Sequence, residues 1–140
     1  MVNSQKLLSK YKDSIKDDYS IVTNSVSGVS ADTFFDLVII TGLNKNQLAK
    51  NIFEISVKTI NRYKQEKKKL NPRNSELILK LLALYKKGIE VFGKLESFNN
   101  WLMKPAFGIG NKTPFSLMNT STGIDLIYEE LIRIEYGDLA

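Results

Sequence analysis

Cysteine and histidine are both missing from the 140 residues, and tryptophan occurs once. Without thiols there is no disulfide framework and no thiolate nucleophile, and without imidazole there is no Cys/His zinc site and no histidine acid/base chemistry. No apolar run approaches the ~18 to 20 residues of a membrane span, and Met1 to Lys16 holds no apolar core of signal-peptide length. A cytoplasmic protein with no membrane partner is therefore expected. What remains, 43% hydrophobic and 25% charged residues, excludes fibrous, disordered and collagen-like chains and fits one globular domain or two small ones.

The net charge of +5 is unevenly placed. Residues 1–31 carry four basic and three acidic groups, residues 32–93 twelve and six, and residues 94–140 four and six. A basic centre beside an acidic end suggests one region that meets a polyanion and another with a different task.

Hydrophobic periodicity predicts an all-α protein of about seven helices with no strand and no internal repeat. Residues 1–31 read as a polar arm, with a short helix around Leu7 to Ile15, because Ser20, Thr23, Asn24, Ser25, Ser27, Gly28 and Ser30 interrupt isolated valines. From Asp32, Phe34, Phe35, Val38 and Ile39 repeat at helical spacing as far as Thr41-Gly42. A second helix is predicted over Asn44 to Phe53, and a third behind Ser56 as N-cap, running to Lys64. Asn71-Pro72 opens a long helix to about Phe92, apolar on nearly every side, as expected of a spine between two layers or at a dimer contact. Beyond Gly93 the pattern predicts an amphipathic helix over Leu95 to Met103 and a loop over Pro105 to Lys112. A short turn follows from Thr113-Pro114 to Met118, then a break at Thr120 to Gly123 and a last helix over Ile124 to Tyr136. That helix places Ile124, Ile127, Leu131 and Ile134 inward, with Glu129 and Arg133 four apart outside. The resulting organisation is an arm (1–31), a helix-turn-helix-like bundle with the central helix (32–93) and a C-terminal helical domain (94–140).

Leu48-Ala49, Ile52, Ile55-Ser56 and Thr59-Ile60-Asn61-Arg62 have the residue types of a helix-turn-helix. Ala49 lets two helices approach, Ile52 and Ile60 fill the space between them, and Ser56 caps the helix that enters the major groove. With Val57, Ile60 and Tyr63 inward, Lys58, Asn61, Arg62 and Gln65 face outward. Arg62 or Asn61 suits base edges, while Lys58, Lys64 and Lys67-Lys68-Lys69 suit phosphates. Thr59 joins this candidate DNA-binding set. Between Lys45 and Arg73 nine basic residues stand against two acidic ones, Glu54 and Glu66. The same lysines also fit a merely solvated face. The unit carries one residue more than usual between Ala49 and Ser56, with Phe53-Glu54 where glycine is common.

The C-terminal half is more specific. Val91-Phe92-Gly93, Trp101-Leu102, Pro105, Gly108-Ile109-Gly110, Thr113-Pro114-Phe115, Leu117-Met118, Thr120, Gly123 and Leu131 to Gly137 resemble, in order, the toxin-binding domain of the Xre/MbcA/ParS antitoxin family. Ile55-Ser56, Thr59-Ile60, Arg62, Leu70 and Ser75-Glu76 resemble that family's Xre-like helix-turn-helix, so the similarity covers about residues 28–138. The loop departs from the family with Gly108-Ile109-Gly110-Asn111 where a Leu-Gly-Gly-like run is frequent. The resemblance implies a noncatalytic type II antitoxin that holds a RES-domain toxin, an NAD⁺-consuming enzyme like ADP-ribosyltransferases, by occluding its NAD⁺ pocket. It also implies a homodimer that represses its own operon by binding operator DNA.

Under that reading Trp101 is a core residue, Gly108, Gly110 and Gly123 permit positive φ, Pro114 opens a turn of helix, and Gly137 is structural. Candidate toxin contacts are Asn111 and Lys112 on the loop and Glu129, Arg133, Glu135, Tyr136 and Asp138 at the end. An acidic segment suits a partner whose pocket attracts an anionic dinucleotide, although the same groups fit a solvated surface. No cofactor, metal or small-molecule substrate is implied. The alternatives are a standalone helix-turn-helix regulator with a C-terminal dimerisation module, and an enzyme. Catalysis would have to rest on groups such as the adjacent carboxylates Asp17-Asp18 or Glu129-Glu130, which diverge on a helix.

Overall fold

The computed structural model describes residues 4–137. Eight α-helices follow in order: α1 Ser4–Ser9, α2 Asp18–Ser27, α3 Ala31–Thr41, α4 Lys45–Leu48, α5 Val57–Glu66, α6 Pro72–Phe92, α7 Leu95–Leu102 and α8 Ser121–Glu135. There is no strand among the described residues, and two isolated bridges, Ser30 with Lys69 and Ala106 with Lys112, pin loops together. The all-α expectation holds, with one helix more than the periodicity predicted.

The spine is α6. Pro72 sits in its first turn, the Asn71 side chain accepts from the Asn74 N–H, and Gly93, at φ 86°, ends it. Helices α1, α2, α3, α7 and α8 all pack against it. Leu77, Ile78, Leu79, Leu81, Leu82, Leu84 and Tyr85 are accordingly buried over most of the helix circumference, leaving a stripe of Glu76, Lys80, Lys87 and Glu90 toward solvent. Tyr85 is enclosed, and its hydroxyl donates to Asn99 Oδ1 at 2.8 Å, while Asn99 Nδ2 donates to the Thr41 carbonyl at 2.8 Å. Burial raises the Tyr85 phenol far above its ordinary range, so this link between α3, α6 and α7 stays protonated.

The polar N-terminal segment is folded; α1 overlaps the expected Leu7 to Ile15 helix only at Leu7–Ser9, and α2 was not expected. Asp17 caps α2 by accepting from the Ser20 N–H at 2.7 Å, which holds its carboxyl below the usual carboxylate range. Along α2 the polar side chains bond to their own backbone: Thr23 to Tyr19, Asn24 to Ser20 and Ser25 to Ile21. Such back-bonding satisfies the hydroxyls and lets Ser20, Ile21 and Ser25 pack closely on α6. A composition that reads as a loop thus forms a ten-residue helix. The Tyr11 hydroxyl and Lys10 both bind Asp36 of α3, tying the segment after α1 to the bundle.

The predicted helix Asn44 to Phe53 is α-helical only to Leu48 and continues through Ala49–Phe53 as a π-turn. The Ile55 N–H reaches back to the Ala49 carbonyl at 3.1 Å. A π-turn is the local solution to one inserted residue, and it brings Ala49, Ile52 and Phe53 all into the core. Glu54 then closes the turn at φ 56°, a conformation that favours glycine. Glu54→Gly is expected to raise stability by about 0.5–1 kcal/mol, read as a higher urea midpoint at unchanged slope.

Two glycines differ from expectation. Gly110 has φ 73° and Gly137 φ 77°, but Gly108 and Gly123 are not at positive φ. Their function is space. A Cβ on Gly123 would lie 1.9 Å from the Leu117 carbonyl oxygen, and one on Gly108 would lie 2.1 Å from Glu130 Oε1. The break at Thr120 to Gly123 is likewise shorter than predicted, because the Thr120 hydroxyl caps the Gly123 N–H and α8 starts at Ser121. Pro114 opens a short 3₁₀ turn as expected and is buried. Trp101 is half-buried rather than enclosed, stacking 5.5 Å from Phe92 and 6.1 Å from Phe98.

Candidate nucleic-acid and partner-binding surfaces

Helix α5 is built as a presented helix. Ser56 Oγ accepts from the Thr59 N–H at 3.1 Å and donates to Thr59 Oγ1 at 2.9 Å. Ile60 is buried and Val57 and Tyr63 half-buried, so Lys58, Asn61, Arg62 and Gln65 stand in solvent, as the periodicity required. Thr59 is half-buried and occupied by the cap.

The basic residues divide into two groups. Lys64 turns back, 3.5 Å from Asp32 and over the Phe35 ring, and Lys68 pairs with Glu66 at 3.2 Å. Lys69 is exposed, with its backbone bridged to Ser30. Arg62 lies over the Tyr63 ring and only 4.0 Å from Glu66, a loose, exposed pair. By contrast Lys58, Lys67 and Lys69, together with Lys45, Lys50 and Arg73, form no ion pair among the described residues. Lys50 and Asn46 line a cleft of about 450 Å³ against Ser56 and Val57 at the start of α5. Lys45, Lys50 and Arg73 lie outside the candidate DNA-binding set that periodicity picks out. The nine-to-two charge excess was the signal that contained them.

The C-terminal residues also separate. Asn111 is exposed at φ 60°, and the Lys112 carbonyl accepts from the Ala106 N–H at 2.9 Å, closing the loop. Glu129 is exposed. Arg133 does not face Glu129: its Nε donates to Glu130 Oε1 at 2.8 Å and a terminal nitrogen lies 2.7 Å from the same oxygen as an ion pair, and Glu130 is buried. The three-residue spacing wins because the 107–109 turn packs on Glu130 and leaves its carboxylate in need of a cation. Glu135 is held by Lys87 of α6 at 2.7 Å, which keeps the Lys87 ammonium above its ordinary value. Tyr136 is exposed, and Asp138 lies outside the described residues. The periodicity-based reading passed over Phe107, which is 76% exposed, and Leu126, which is 43% exposed. Nothing in an aromatic within a glycine-rich loop signals that it points outward.

No group of three or more acidic side chains that could hold a metal ion occurs among the described residues. Of the adjacent carboxylate pairs, Asp17 caps α2, Asp18 is solvated, and Glu129 and Glu130 diverge, one exposed and one buried. No described helix is long and apolar enough to cross a membrane.

Residues 20–83 match the antitoxin Xre-like helix-turn-helix domain, and residues 87–137 match the antitoxin Xre/MbcA/ParS C-terminal toxin-binding domain. With both domains in order on one polypeptide, the chain belongs to the Xre/MbcA/ParS antitoxin family. No curated protein matches the sequence.

Proposed function

We propose that the chain is the antitoxin of a type II toxin–antitoxin pair, acting in the cytoplasm without catalysis of its own. Residues 94–140 cover a RES-domain, NAD⁺-consuming toxin, and residues 32–93 bring the complex, as a homodimer, to the operator of its own operon. The observation that carries this reading is the pairing of a toxin-binding domain with a helix-turn-helix domain, segregated in charge: −2 over residues 94–140 and +6 over residues 32–93. The cationic α5 surface suits a phosphate backbone. An acidic C-terminal face suits a cleft that binds an anionic dinucleotide. Within this reading Lys58, Asn61, Arg62 and Lys67 contact DNA, with Lys45, Lys50 and Arg73 beside them, and Asn111, Lys112, Glu129 and Tyr136 contact the toxin.

Co-expression with the RES-type open reading frame beside this gene tests the proposal. Restored growth and co-purification of the two proteins are expected. Toxicity unchanged by this chain, with no complex recovered, would overturn it.

A further inference from the structure

Phe107 is an aromatic side chain that the protein fixes in solvent. It is 76% exposed and is not among the hydrophobic residues packed on the core. The backbone carrying it is constrained on three sides. Ala106 and Lys112 close the loop by a β-bridge, and the Asn111 N–H donates to the Ala106 carbonyl at 3.0 Å. Gly108 lies so close to α8 that a Cβ would meet Glu130 Oε1 at 2.1 Å. Arg133 holds that buried carboxylate by a hydrogen bond from Nε and an ion pair to the same oxygen. A half-buried ion pair, its carboxylate largely enclosed, thus supports the turn that carries a ring not packed on the core.

Leu126, Glu129, Glu130 and Arg133 share one side of α8 at three- and four-residue spacings. The exposed Leu126 and Glu129 therefore lie on the helix against which the 107–109 turn packs, Glu129 to one side of Glu130. Glu129 forms no ion pair among the described residues. An exposed aromatic on a constrained loop, with an exposed aliphatic and an unpaired carboxylate on the helix that the loop packs against, has the composition of an interface hot spot.

Resting on the antitoxin reading, we propose that Phe107 is the central anchor of the toxin interface, with Leu126 beside it and Glu129 on its rim. The partner surface is an apolar slot bordered by basic groups, the chemistry of a dinucleotide cleft that takes a flat ring and its phosphates. The match of residues 87–137 to a toxin-binding domain places this patch inside the region that meets the partner.

The test is the affinity of the full chain for the purified RES-domain protein encoded beside it, rendered inactive, measured by titration calorimetry. Phe107→Ala is expected to weaken binding about 30-fold or more. Phe107→Tyr should stay within a few-fold of wild type, and DNA affinity and thermal midpoint should not move. Tight wild-type binding that Phe107→Ala and Leu126→Ala leave intact would overturn the anchor while sparing the antitoxin reading. Absence of wild-type binding would overturn both. A Phe107→Ala chain that changes its own mass in solution while keeping toxin affinity would assign the patch to a second copy instead.

Discussion

Phe98→Ala is expected to lower stability by about 3–5 kcal/mol, the cost of removing a fully buried aromatic that neighbours cannot collapse to replace. The ring packs edge-on to Tyr85 at 4.9 Å and lies 6.1 Å from both Phe92 and Trp101. It occupies space that Gly88 leaves free, since a Cβ there would sit 2.5 Å from three of its ring atoms. A loss of that size is a large share of the roughly 5–15 kcal/mol that holds a domain together. The check is the denaturant midpoint at constant slope. A loss below about 1 kcal/mol would show that α7 is not seated on α6 as described.

The same geometry bears on truncation. Met118, Ile124, Ile127 and Leu131 are buried in one core with Leu81, Leu84 and Tyr85. A chain cut after Gly93 would expose that face of α6, so point variants separate the two binding surfaces more cleanly than deletion does.

Lys58→Ala and Arg62→Ala are each expected to weaken operator binding by about 1–3 kcal/mol, with a shallower salt dependence where a phosphate contact is lost. Lys64→Ala should do less, because its ammonium already lies by Asp32 and over Phe35. Gel-shift titrations at two salt concentrations read all three. Unaltered affinity in the Lys58 and Arg62 variants would remove α5 as the recognition helix.

How much of this could be read from residues alone depended on whether the local chemistry had a sequence-range signature. Helix α6 was legible because Asn71-Pro72 and Gly93 mark its ends and its apolar residues leave only a narrow polar stripe of Glu76, Lys80, Lys87 and Glu90. Helix α5 was legible because Ser56 caps it and a single stripe is apolar. Helix α2 was hidden, since Thr23, Asn24 and Ser25 bond to its own backbone and a polar sequence then packs on the spine. The π-turn at Ala49–Phe53 was visible only as an extra residue, because a 3.6-residue period has no place for a wider turn. At the candidate sites the charges were countable in advance, but their pairing was not. Arg133 with Glu130, Glu135 with Lys87 and Lys64 with Asp32 are settled by tertiary approach, as is the exposure of Phe107.

The central claim, that this chain silences an enzyme by covering it, is tested most directly by following NAD⁺ consumption by the purified RES-domain protein as the intact antitoxin is titrated in. Turnover should fall to background at a fixed molar ratio, and the antitoxin alone should consume none. Turnover unaffected at saturating antitoxin, or NAD⁺ consumed by the antitoxin by itself, would contradict it.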